Sequence, residues 1–226
     1  MRKVYIYIVF LLSGISYPAF SQNGFNFNAG VGASLLNINY ATGLSGIDTS
    51  YSSSFILSYF LGAEYKIRIS NNILLGFNAG FSSKGGNFSK DSVITETGII
   101  PVKTITNNLK YFELSIRPEY QFKLTKQYPA QLFGGIYTGF LLNATETISE
   151  VYSKRTRTFN ENVVSNYNTL DIGFFFGAGI QIAKYLSAKV KYQTGLINIL
   201  KSSDGFKDIS SKNQSIYFVI GLRNSF

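Results

Sequence analysis

Residues 55–69 alternate with a period of two. Phe55, Leu57, Tyr59, Leu61, Ala63, Tyr65, Ile67 and Ile69 share one face of an extended chain, and Ile56, Ser58, Phe60, Gly62, Glu64, Lys66 and Arg68 share the other. Strands in soluble proteins usually run about 5 to 6 residues, whereas a tilted strand needs about 9 to 11 to cross the hydrocarbon of a bilayer. This run is long enough for a membrane strand with an apolar outside and a polar inside. Unpaired backbone groups in lipid cost several kcal/mol each, so such a strand requires neighbours that close a barrel.

The same period recurs along the chain. It predicts a first strand over 24–40, the second over 55–69, a third over 73–82 after the tight turn Ser70-Asn71-Asn72, and a fourth over 109–124. Further strands are predicted over 130–143, 170–182, 186–196 and 213–226. Pro118 removes a ladder hydrogen bond and predicts a bulge or a local break in pairing. The connections alternate. Segments 41–53, 84–108, 145–168 and 201–212 are long, polar loops, the second with room for a protruding hairpin; 70–72, 125–129 and 183–185 are short turns. The fold class is therefore all-β: an eight-stranded antiparallel up-and-down transmembrane β-barrel, with short periplasmic turns and four long extracellular loops.

The start of the chain fits export. Arg2 and Lys3 precede the apolar run 4–12, and Gly14 and Pro18 lead into Ala19-Phe20-Ser21. This order describes a signal peptide over 1–21, cleaved before Gln22, which leaves 22–226 as the barrel domain. The absence of cysteine excludes a lipidated N-terminal cysteine and disulfide staples. With 16 Tyr, 20 Phe and no Trp, any interfacial girdle is built from Phe and Tyr; Tyr65, Tyr120, Tyr185, Tyr192 and Phe226 are candidates. The formal net charge of +9, lowered by two when Arg2 and Lys3 leave, points to lipopolysaccharide phosphates and lipid headgroups rather than to nucleic acid.

Several short motifs, in this order and spacing, carry a family resemblance. They are Lys84-Gly85-Gly86, Asp171-Ile172-Gly173 with Gly177-Ala178-Gly179, Tyr192-Gln193-Thr194-Gly195-Leu196-Ile197-Asn198-Ile199, and Lys212-Asn213-Gln214 before the last strand. Together the chain resembles the PorT-type outer-membrane β-barrel family of Bacteroidetes over nearly its whole mature length. The resemblance implies an eight-stranded outer-membrane barrel, and the family's named member takes part in type IX secretion. The terminal Phe226 resembles the signal read by the outer-membrane insertion machinery, although Asn224 stands where a fully apolar pattern would place another hydrophobe.

Candidate chemistry is restricted. The absence of both histidine and cysteine removes the usual general base, nucleophile pairs and transition-metal ligands. No cofactor, metal or catalytic residue is expected, and only carboxylate chemistry would be open to an enzyme. The inward faces carry Glu64, Lys66, Arg68, Glu113, Arg117, Glu119, Lys123, Asp171, Lys189, Lys191 and Arg223. These either line a cation-rich, anion-preferring pore or pair with one another as a plug, since an eight-stranded interior is just wide enough for side chains to fill it; the plug is preferred. Lys154, Arg155 and Arg157 form either an anion contact on a loop or a solvated loop tip. The expected activity is that of a non-enzymatic scaffold or interaction protein acting through its extracellular loops, with membership of a secretion or envelope-assembly complex and a small channel as alternatives. Its expected partners are outer-membrane lipid, lipopolysaccharide, the insertion machinery and other envelope or secretion proteins.

Overall fold

The computed structural model describes residues 24–40, 52–90, 94–95, 98–99, 102–124, 129–152, 155–201 and 209–224. The strands are β1 (Gly24–Tyr40), β2 (Ser52–Ser54), β3 (Ile56–Arg68), β4 (Ile73–Lys90), β5 (Ile94–Thr95), β6 (Gly98–Ile99), β7 (Val102–Lys123), β8 (Pro129–Tyr152), β9 (Arg155–Asn162), β10 (Leu170–Ala183), β11 (Leu186–Gly195) and β12 (Ile209–Asn224). All but β5 and β6 belong to one ten-stranded antiparallel sheet. Eight of its strands close on themselves in the order β1-β3-β4-β7-β8-β10-β11-β12, and β12 returns to β1 from Phe25↔Asn224 to Tyr40↔Ile209. Closure leaves no edge for lipid to strip of hydrogen bonds. No helix among the described residues is long and apolar enough to cross a membrane.

Alternation decides which face meets which solvent. Leu57, Val31 and Phe27 on the outside are 83%, 61% and 59% exposed, and Leu61, Phe81, Leu114, Ile136, Phe174 and Phe218 continue the apolar wall around the ring. A patch of that extent is far larger than soluble monomers leave open to water; in hydrocarbon it costs nothing. Gly24, Asn224 and the turn between β3 and β4 share one end, as the pairs Gly24↔Lys66 and Phe25↔Asn224 require. The long connections gather at the other, here named the loop end.

Several sequence expectations are corrected at that loop end. Segment 84–108 is not mainly loop: β4 continues to Lys90, β7 begins at Val102, and the described residues between them form the short β5/β6 hairpin. Segment 145–168 likewise holds the continuation of β8 to Tyr152, then β9, then a 3-10 turn at Val164–Asn166. The first strand has the expected bounds. The last begins earlier, at Ile209, and the seventh ends at Gly195. Around Pro118 pairing with β8 lapses between Ile116↔Ile136 and Glu119↔Phe133 without a change of register; the bulge lies instead between Lys110 and Tyr111, opposite Leu141 to Asn143. That extra residue reverses the parity of β8, so that Ala144 turns inward where an uninterrupted strand would turn it out. Residues 1–21, Lys154 and Phe226 lie outside the described residues.

The upper wall folds over the mouth because of Gly85 and Gly86. Gly85 has φ +147°, a region that L side chains rarely adopt, and a Cβ there would collide with the Asn107 carbonyl. Its N–H donates to Ser34 Oγ on β1 at 3.0 Å, and a Cβ on Gly86 would lie 2.7 Å from the Leu36 nitrogen. Two glycines thus let β4 come up against β1 above the point where its pairing with β3 ends. Beneath this bend Leu36, Phe88, Leu109, Tyr111, Ala144, Val163, Tyr167 and Ile199 form an apolar cap.

Candidate functional site: the charged interior and the capped mouth

Inward positions alternate down each strand, so charge placed at a given height on different strands converges on the axis. Two networks result. Near the turn end, the Arg117 guanidinium on β7 pairs with Glu64 on β3 at 2.5 Å and with Glu119 at 2.8 Å. Lys66 pairs with Glu119 at 2.6 Å, and Lys189 on β11 lies 3.7 Å from Glu64 while donating to Asn28 Oδ1 at 2.9 Å. Gln121 donates to Glu119 at 2.9 Å.

Closer to the loop end a second network forms around Lys84. Its ammonium pairs with Glu113 at 2.6 Å and Asp171 at 2.9 Å, and it sits 4.1 Å from the centre of the Tyr137 ring. Ser82 and Gln193 donate to Glu113 at 2.8 and 3.1 Å, and the Tyr137 hydroxyl and the Asn213 amide donate to Asp171 at 3.2 and 3.0 Å. Asn213, on β12, also donates to the Tyr111 hydroxyl on β7 at 3.2 Å. Those two strands stand four places apart in a ring of eight, so this contact spans the full diameter. Between the networks lies an aromatic layer, where Lys191 meets ring faces rather than a carboxylate: Phe60 at 4.2 Å and Tyr217 at 4.9 Å. Room for the rings comes from Gly173 and Gly177, whose Cβ atoms would lie 2.6 Å from Tyr137 and 2.5 Å from Phe133.

Of the eleven charges expected inside, Glu64, Lys66, Glu113, Arg117, Glu119, Asp171, Lys189 and Lys191 meet in these layers. Arg68, Lys123 and Arg223 do not. They stand at the turn-end rim, where Arg68 donates to the Asn71 carbonyl at 2.7 Å, Lys123 is exposed, and Arg223 borders a void of about 40 Å³. Arg155 and Arg157 lie on β9, and the latter is exposed. Sequence reasoning missed Lys84, a wholly buried cation, although the inward series Leu74, Gly76, Asn78, Gly80, Ser82 leads directly to it.

A closed, all-antiparallel ring with an apolar outer wall and a polar interior defines a membrane-spanning β-barrel. Among solved structures similar to this chain is the outer membrane protease OmpT from Escherichia coli, at a TM-score of 0.50 and 10% identity over 93% of this chain and 99% of that one. The attachment invasion locus protein Ail of Yersinia pestis matches at TM-score 0.39 and 10% identity (88% and 98% covered), and OprG of Pseudomonas aeruginosa at 0.34 and 8% (90% and 97%). At these identities the likeness concerns the fold alone. A search of curated protein sequences returned no match. The model of the outer membrane protein beta-barrel domain family matches residues 20–201, and the chain belongs to that family. It is an outer-membrane protein.

Proposed function

We propose that this chain is a closed, non-catalytic barrel that works from its loop end, as a scaffold or interaction protein in the bacterial envelope. The observation that carries the reading is the contact of Asn213 with Tyr111 across the full diameter, directly beside the Lys84 ion pairs and beneath the apolar cap. The voids at the turn end and in the centre, of about 40 and 30 Å³, have room for a water or two each and for no hydrated ion. Each buried interior carboxylate has a cationic partner within 3 Å, which leaves no carboxylate poised as a free acid or base. Reconstitution in planar bilayers tests it: the closed barrel gives no steady current, and an ohmic, voltage-independent conductance overturns it.

The excess of Lys189 and Lys191 on β11 favours one second reading, a narrow anion-preferring channel, and the same recording decides it through ion selectivity. The PorT-type motifs support placing the loop end outside the cell and the barrel within a secretion or envelope-assembly complex. A partner recovered in fixed stoichiometry from native membranes bears that out, and recovery of the barrel alone counts against it. Cleavage of residues 1–21 belongs to the same reading, and N-terminal sequencing of protein from the outer membrane then begins at Gln22.

A further inference from the structure

At the capped loop end lies a pocket, partly open to the surface, that barrel closure does not require. It measures about 250 Å³, and Leu36, Ile38, Phe88, Ile105 and Leu200 make its apolar sides. Asn107 and Ser211 line it too. Both are buried, 6% and 1% exposed, yet Asn107 Oδ1 and Ser211 Oγ have no hydrogen-bond partner among the described residues. Buried polar atoms are nearly always paired, so two orphans bordering one apolar void mark a place where a ligand supplies the missing bonds. The exposed Asn166 also borders the void, which therefore reaches the surface. Tyr167, on the same wall, has its phenol pKa raised, first by burial and then by Glu146, so it remains a neutral hydroxyl.

Size and chemistry define the occupant. An apolar cavity of about 150 Å³ takes up benzene, so this one fits a substituted single ring or a short alkyl chain. An amide oxygen accepts only, so the head of the ligand must donate to Asn107, whereas the serine hydroxyl can either donate or accept. We infer that the loop-end cavity is a binding site for a small amphiphile with an apolar body and a hydroxyl or amine head that donates to Asn107 Oδ1 and can accept from the Ser211 hydroxyl. Capture of such a molecule at the cell surface is what this barrel adds to a plain scaffold, and the inference rests on the reading of the loop end as the working end.

The test is a 19F NMR titration of 4-fluorophenol against the mature protein in lipid nanodiscs, with 4-fluoroanisole, which has the same body but no donor, as the comparison. The expected result is saturable 4-fluorophenol binding, about tenfold tighter than that of 4-fluoroanisole. Asn107→Leu should remove most of that preference with the barrel fold unchanged, and Ile105→Trp, which fills the void, should abolish the saturable component. Equal affinity for the two probes, partitioning without saturation, or binding untouched by Ile105→Trp would overturn the assignment. The outcome is separable from that of the bilayer recording: conductance with intact phenol binding removes the closed-barrel reading and spares the site, whereas no conductance and no binding removes the site alone.

Discussion

The two interior networks solve the same problem with different redundancy. Near the turn end, Arg117, Lys66 and Lys189 share Glu64 and Glu119, and each carboxylate touches two cations. Around Lys84 the ratio is reversed: one ammonium serves both Glu113 and Asp171, and phenols and amides supply the remaining contacts. Burial of charge is tolerable only when it is compensated, and removing one partner leaves the rest uncompensated. Stability should therefore depend steeply on Lys84 and weakly on any single cation of the other network.

The largest effect follows from that dependence. Lys84 is wholly buried, so Lys84→Met strands two carboxylates in a water-poor interior at a cost of about 3–5 kcal/mol. Urea unfolding of the barrel in phospholipid, followed by tryptophan-free probes such as tyrosine fluorescence, measures it. The triple variant Lys84→Met, Glu113→Gln, Asp171→Asn replaces the charges with neutral groups of similar shape and should recover most of the loss, because breaking a buried pair costs more than removing it whole. A single variant no less stable than the wild type would end the comparison.

The bend that seats Lys84 beneath the cap gives the next largest effect. Gly85→Ala imposes a side chain on a backbone at φ +147° and should cost about 2–3 kcal/mol. Unlike Lys84→Met, it should also open the cap, so protease cleavage within 84–108 accelerates while the strands below stay protected. Uniform protection would show that the cap does not depend on this bend.

These sites also mark where the sequence was legible. The barrel wall was: Phe25 to Leu35 on β1, Phe55 to Ile69 across β3 and Phe112 to Phe122 on β7 follow a period of two because lipid and interior impose opposite chemistries on adjacent residues. The cap was not. Lys84-Gly85-Gly86 carries the composition of a loop, and its glycines are present for a bend within a strand. The bulge at β8 shifts parity before Ala144, and Val163, Tyr167 and Ile199 join the cap from irregular chain, where no period exists to be read. Charges could be assigned to the inward face, but height along the axis depends on strand stagger. Arg68, Lys123 and Arg223 share the parity of the networks and still fall at the rim.

The turn-end network completes the comparison from its weaker side. Arg117→Met removes contacts to both carboxylates, but Glu64 retains Lys189 and Asn28, and Glu119 retains Lys66 and Gln121, so the expected loss is about 2 kcal/mol. Lys66→Met should do less. Glu119 keeps Arg117 at 2.8 Å and Gln121 at 2.9 Å, and the Lys66 ammonium borders the turn-end void, where water can replace it; the change should stay within about 1 kcal/mol. Combining the two tests redundancy itself. If each cation covers for the other, the double variant loses more than the sum of the singles, by about 1 kcal/mol or more, because only then is Glu119 left without a cation. Additive losses would mean that the two cations act independently, and the contrast with Lys84 would be one of burial rather than of sharing.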